Sequence, residues 1–290
     1  MALKDILVCI DAGVTSDARV KLAFNLARAH RAHLGGAYVI PEVESLLAHP
    51  PAGVIPPGGI TEIGGTPIIP GTPVGEVRHE AELAESAEEH FRDELRINGI
   101  DGEWHLFDVG EEAQLIELAK TFDLTIIGQL SPDSRATAFR PEEIAVAAGR
   151  PVLVIPYAGT FETVGKRALV AWDGGREAVR AVNDGLPLLA DAEAVTVMQV
   201  GPREADLERQ RLSLDRIVTH LQRHGIAGRT EQTVRGDIPI SDILLSRAAD
   251  LGADLIIAGV YHHSQLRESL LGGVSRELLQ HMTVPVLMSH

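Results

Sequence analysis

The chain has 290 residues, with 26 Lys and Arg against 41 Asp and Glu, a formal net charge of −15. Hydrophobic residues make up 45% and charged residues 23%, the balance of a globular chain with room for two domains or one large one. The negative balance speaks against a nonspecific nucleic-acid binder, which needs a positive surface to displace counterions from phosphates, and a single cysteine, Cys9, excludes an internal disulfide or a cysteine-rich metal site.

The first predicted element is the apolar strand Ile6-Leu7-Val8-Cys9-Ile10, which ends at Asp11 and makes Cys9 a buried strand residue. It starts so early that no signal peptide is expected. No run of about 18 apolar residues predicts a membrane span, so a cytoplasmic location is the default expectation. Ser16 to Arg31 has helical spacing, and Ala37-Tyr38-Val39-Ile40 reads as a second strand. Residues 41–75 then carry Pro50-Pro51, Pro56-Pro57-Gly58-Gly59 and Gly64-Gly65-Thr66-Pro67, and suit no regular element. Such a segment is an ordered flap, a partner-contact segment or disordered. Glu80 to Ile97 is helical, with Glu80, Glu82, Glu85, Glu88 and Glu89 on a solvated face, and Asn98-Gly99-Ile100 stops it before a short strand. A helix after Gly110 leads to the strand Phe122–Gly128. A helix entered at Pro141 then leads to the strand Pro151–Ile155.

From residue 165 the pattern begins again. Gly165 to Asp173 repeats Leu3 to Asp11: a basic residue, an apolar strand, a terminal aspartate. A helix over Arg176–Ala190, a strand over Ala194–Val200 and a helix over Ala205–His224 follow, and His224-Gly225-Ile226 echoes Asn98-Gly99-Ile100. Ala253–Gly259 matches Phe122–Gly128, and Pro285-Val286-Leu287-Met288 matches the closing strand of the first copy. The boundary falls within residues 156–164, giving domains 1–157 and 165–290. The strands are continuous β-branched runs, as strands buried on both faces read. The expected fold is α/β: two tandem doubly wound domains, each a five-stranded parallel sheet with helices on both faces. The apolar last strands, Val152–Ile155 and Val286–Met288, are expected at sheet edges, where pairing within the chain would cover both.

In such a sheet the ligand crevice lies beyond the carboxyl ends of the strands. In the second copy Asp173, Val200 and Gly259 end three strands, and Gly272-Gly273-Val274-Ser275 opens the last helix. Glycines at a helix N-terminus expose backbone N–H groups suited to phosphate, and Asp173 can accept from an amino or hydroxyl group. The plainer readings are a helix cap for Asp173, a strand-end turn for Gly259 and an ordinary helix start for Gly272-Gly273. Neither the dinucleotide fingerprint nor a Walker A loop is present.

This pattern resembles the universal stress protein family in its tandem two-domain form, whose fold is adenine-nucleotide alpha-hydrolase-like. The family's nucleotide-binding members carry Gly-x2-Gly-x9-Gly-Ser/Thr. Here Gly259-Val260-Tyr261-His262 and Gly272-Gly273 occupy that spacing, with His262 in place of the second glycine and Gly273 in place of the hydroxyl residue. The resemblance implies ATP in the second domain, with Mg2+ held through the phosphates and contacts from Asp173, Val200, Gly259, His262, Gly272, Gly273, Val274 and Ser275. His262 either crowds or contacts the phosphates. Asp11 and Val39 hold the matching positions in the first copy, but Gln129-Leu130-Ser131-Pro132 replaces its glycines, and Glu142 and Glu143 would repel a phosphate there. The function implied is a stress-response binding or signalling module, with intrachain pairing of the domains and homodimerisation. Its alternatives are a nucleotide-independent interaction or small-molecule-binding module and a weak ATPase. No catalytic residue or metal site is assigned. His262-His263 points two ways along an extended segment, His220 and His224 end a solvated helix, and Arg267 is an exposed residue or a phosphate contact. Trp104 and Trp172 read as packing residues.

Overall fold

The computed structural model describes residues 2–11, 16–40, 61–63, 66–68, 74–108, 111–130, 140–260 and 273–290. The strands of the first half are β1 (Asp5–Ile10), β2 (His33–Val39), the short pair β3 (Thr61–Ile63) and β4 (Thr66–Ile68), β5 (Gly102–Phe107), β6 (Leu124–Gly128) and β7 (Val152–Ile155). Its helices are α1 (Ser16–His30), α2 (Val74–Asn98), α3 (Glu112–Ala119) and α4 (Pro141–Ala148). The second half has β8 (Arg167–Ala171), β9 (Ala194–Gly201), β10 (Gly228–Val234), β11 (Leu255–Gly259) and β12 (Val286–Ser289). Between them run α5 (Arg176–Gly185), α6 (Glu204–Arg223), α7 (Ile240–Leu251) and α8 (Gly273–His281).

The expectation of two separate five-stranded sheets is corrected. The structure has one continuous ten-stranded sheet, ordered β10-β9-β8-β11-β12-β7-β6-β1-β2-β5. Each half keeps the doubly wound order and parallel pairing within itself. The halves fuse because β7 and β12 pair antiparallel, Val286 with Val154, Leu287 with Leu153 and Met288 with Val152. All four residues of each strand are buried. Two bare apolar edges thus satisfy each other's backbone groups.

Side chains alternate through the sheet. Ile6, Val8 and Ile10 enter one core with α1, α2, α5 and α6, while Leu7 and Cys9 enter the other with α3, α4, α7 and α8. Cys9 is buried as expected, and burial pushes its thiol up to about 12, where it is protonated and inert. The strand entries are clasped alike in both halves. The Asp123 carboxylate accepts from the N–H groups of Lys4 and Asp5, and Asp254 accepts from those of Gly165, Lys166 and Arg167.

Four element boundaries differ from expectation. β2 begins at His33 and includes Gly35 and Gly36, because Phe122 lies 2.8 Å from where a β-carbon on Gly35 would stand and Trp104 lies 2.8 Å from the matching point on Gly36. These glycines serve close packing. Segment 41–75, read as lacking regular structure, contains the antiparallel pair β3–β4, and α2 already begins at Val74. The strands flank Gly64-Gly65, a two-residue hairpin signal. Finally α5 stops at Gly185 instead of running to Ala190: Leu186 keeps right-handed helical backbone, but Pro187 after it has no N–H with which to continue the helical hydrogen bonds.

A buried amide ties the halves together beyond the strand pair. Gln129 Nε2 donates to the carbonyls of Leu279 (2.7 Å) and Gln280 (3.2 Å), and its Oε1 accepts from Tyr157 N–H (3.1 Å). Gln129→Ala orphans these groups and is expected to lower the unfolding free energy by about 1–3 kcal/mol. The shift of the urea midpoint at unchanged slope measures it.

Candidate functional site

The carboxyl ends of β8, β9 and β11 enclose a cavity of about 340 Å3 in the second half. Its wall holds six of the eight residues expected at the site: Asp173, Val200, Gly259, Gly273, Val274 and Ser275. His262 and Gly272, the other two, lie outside the described residues. Its volume lies near the lower end of the range for small-molecule sites.

Each wall residue is placed by the fold. β8 ends at Ala171, and Trp172 and Asp173 follow as the chain turns towards α5. Asp173 is exposed, and its Oδ1 accepts the N–H of Gly175 at 2.7 Å. The aspartate therefore shapes the turn into α5 while lining the cavity, but it does not cap the helix: Gly175 is the N-cap and no side chain caps it. Trp172 is 6% exposed, and its indole N–H is buried with no partner among the described residues. Met198, Ala178, Leu244 and Leu278 give the cavity apolar surface.

The glycine at the end of β11 is a close-approach residue. A β-carbon at Gly259 would stand 2.6 Å from the Glu177 carbonyl carbon and 2.7 Å from Ala178 N, both in the first turn of α5. Opposite, α8 starts at Gly273, and Ser275 Oγ faces the Gly259 carbonyl at 3.5 Å. The first N–H groups of α8 have no partner within their own helix and carry the positive end of its dipole. Nothing among the described residues lies within 4 Å of a β-carbon on Gly273.

Glu177 adds a charge that sequence reasoning missed. Burial alone would raise its carboxyl. A hydrogen bond from Arg176 Nε (2.6 Å), its own backbone N–H and the nearby Arg176 and His290 charges outweigh burial and hold it below the usual carboxylate range. It is ionised at neutral pH. The cavity thus has carboxylates at the start of α5 and a helix N-terminus at α8, poles suited to a ligand with donors at one end and an anion at the other. Among the described residues no three His, Cys, Asp or Glu side chains gather to hold a metal. His220 and His224 meet edge to face at 4.7 Å with no third ligand type beside them among those residues.

The matching place in the first half is built differently. Asp11 follows β1, as Asp173 follows β8, but Asp11 Oδ2 binds Arg19 Nη2 at 2.7 Å, and Arg19 is 2% exposed. Val39 ends β2 as expected. Glu142, in the first turn of α4, is buried, and that burial raises its carboxyl against the pull of its own N–H and of Arg140.

Residues 165–290 match the model of the universal stress protein family. The fold extends over nearly the whole chain. A universal stress protein from Archaeoglobus fulgidus is 16% identical with a TM-score of 0.67, over 98% of this chain and 95% of that one. A functionally unknown protein from Pseudomonas aeruginosa is 17% identical with a TM-score of 0.62, over 99% of this chain and 92% of that one. No curated protein matches the chain. The chain therefore has the mixed α/β fold of the universal stress proteins. No helix among the described residues is long and apolar enough to cross a membrane.

Gly259→Ala forces α5 away from β11. It is expected to cost about 1–3 kcal/mol of stability by overpacking, read by chemical denaturation, whereas Gly273→Ala meets open space and leaves the midpoint within about 0.5 kcal/mol of the parent.

Proposed function

We propose that the chain is a tandem universal stress protein, with domains 1–157 and 165–290, that binds one adenine nucleotide in the second domain and acts as a cytoplasmic stress-response binding and signalling module. The observation that carries this reading is the cavity at the strand ends, with an ionisable carboxylate wall, an apolar middle and the N-terminus of α8. Asp173 has a second carboxylate oxygen for an amino or ribose hydroxyl group. Trp172 supplies a buried donor in want of an acceptor. Val200 packs against the nucleoside, and Gly259 keeps α5 and β11 close. The N–H groups of Gly273, Val274 and Ser275 receive phosphate oxygens, joined by Gly272 and contacted by His262 in the segment outside the described residues. Mg2+ enters bound to the phosphates.

Binding rather than turnover is the function in this reading, because the wall residues named above supply contacts that position a nucleotide. A nucleotide that favours one conformation of the chain over another would alter its surface and so the choice of partner, a second copy of the chain included. Denaturing protein purified without added nucleotide, and quantifying what it releases by mass spectrometry, is expected to give about one adenine nucleotide per chain. No released nucleotide, together with a flat thermal shift at millimolar ATP and magnesium, would replace this reading with the interaction-module one.

Two further outcomes follow from the wall residues. In a Trp104→Phe background, nucleotide is expected to change the emission of Trp172, since that indole lines the cavity. Gly273→Ser restores a hydroxyl beside the phosphate position, where the β-carbon has room, and is expected to tighten nucleotide about tenfold, the worth of one hydrogen bond to a charged group. Fluorescence titration reads both.

A further inference from the structure

The two halves share a backbone plan but treat the same crevice in opposite ways. The buried positions of α5 are Ala178, Ala181, Val182 and Gly185, and those of α1 include Arg19, Leu22, Ala23 and Leu26. Ala178, on the helix that follows β8, is a wall residue of the second-half cavity. The helix that follows β1 buries a long charged side chain, Arg19, among its apolar ones.

The filling is specific. Arg19 Nη2 donates to Asp11 Oδ2 at 2.7 Å and to Ser16 Oγ at 3.3 Å, and Ser16 Oγ also accepts the N–H of Asp11 at 3.3 Å. Asp11 is the counterpart of Asp173, the carboxylate of the second-half cavity. The guanidinium lies over Gly128 at the end of β6, where any β-carbon would collide with Arg19 Nη1. Gly128 is the counterpart of Gly259. The aspartate and the strand-end glycine, two sides of a ligand crevice in one half, hold a side chain of the protein itself in the other. Arg19 is 2% exposed, and its Nε is buried without a partner among the described residues. A guanidinium placed for packing alone would expose its head to water; this one is withdrawn into the sheet end and bound by a carboxylate.

We infer that Arg19 is the built-in occupant of the first-half crevice, which is a site for a planar cation of the guanidinium class filled from within the chain. The carboxylate and hydroxyl acceptors suit planar N–H donors, and the flat space above Gly128 admits a flat group. The crevice is closed to an external ligand for as long as Arg19 stays in it. This inference does not rest on nucleotide binding in the second half.

Emptying the crevice tests it. In the full chain, Arg19→Ala is expected to lower Tm by about 5 °C through loss of the pair and its packing. Millimolar guanidinium chloride should restore more than half of that loss while leaving the parent protein unmoved. Urea, equally flat but uncharged, and sodium chloride should not restore it, and rescue should vanish in Asp11→Asn/Arg19→Ala. A variant that melts with the parent, or rescue by urea equal to that by guanidinium, overturns the inference, as does no rescue at all. If Arg19→Ala does not fold, Arg19→Lys and Arg19→Met decide. A crevice built for a cation keeps the Lys variant, which retains a charge for Asp11, more stable than the Met variant. The opposite order overturns it.

Discussion

The antiparallel contact between β7 and β12 is the constraint on which the architecture depends. Each half alone would be an open sheet ending in an apolar strand with unpaired backbone groups on its outer side. Pairing those strands turns two exposed edges into the middle of one sheet. It also sets direction. The strands of each half are parallel among themselves, so one antiparallel step reverses the second half relative to the first. The carboxyl ends of β1, β2 and β6 therefore lie on the opposite edge of the sheet from those of β8, β9 and β11. The two sets of strand ends thus open at opposite edges of the sheet.

With the frame fixed in duplicate, each half is free to differ at its strand ends. Asp123 and Asp254 clasp the strand entries in the same way, and the same faces of α1 and α5 are buried. These features belong to stability, and the repeat preserves them. At the other end of the strands the halves part. A small residue at Ala178 and an aspartate engaged only with a local turn leave a cavity. In the first half a buried arginine of α1, held by Asp11, leaves a salt bridge over a glycine.

Much of this is legible in the chain because burial on both faces leaves continuous apolar runs, and each run here ends in a residue of use. Asp173, Val200, Gly259 and the start of α8 could be named from position alone, since the parallel order brings strand ends together. What could not be read depended on contacts made far away in sequence. The place of Gly35 and Gly36 inside β2 shows only once Phe122 and Trp104 are seen against them. The apolar runs of β7 and β12 do point to pairing within the chain, but not to the single continuous sheet that this pairing makes. Glu177 owes its place in the cavity wall to the approach of β11 and α8. Arg19 did leave a signal. It stands in register with Leu22, Ala23 and Leu26 on the apolar face of α1, where a charged residue calls for a buried partner.

The chain's strongly negative charge bears on both crevices. It opposes an anion at long range, so a phosphate must be held by groups that act at contact: backbone N–H donors at a helix end, worth more where water is excluded. The same negative field favours a buried cation, and Arg19 gains from it as well as from Asp11. The two halves thus solve one electrostatic problem in complementary ways. One sets the N-terminus of α8 across the cavity from the carboxylates of Asp173 and Glu177. The other pairs its aspartate with Arg19 and sets a buried carboxylate, Glu142, in the first turn of α4. The cavity lies in the half whose aspartate is engaged only with a local turn, and the half whose aspartate is already matched has its strand end filled.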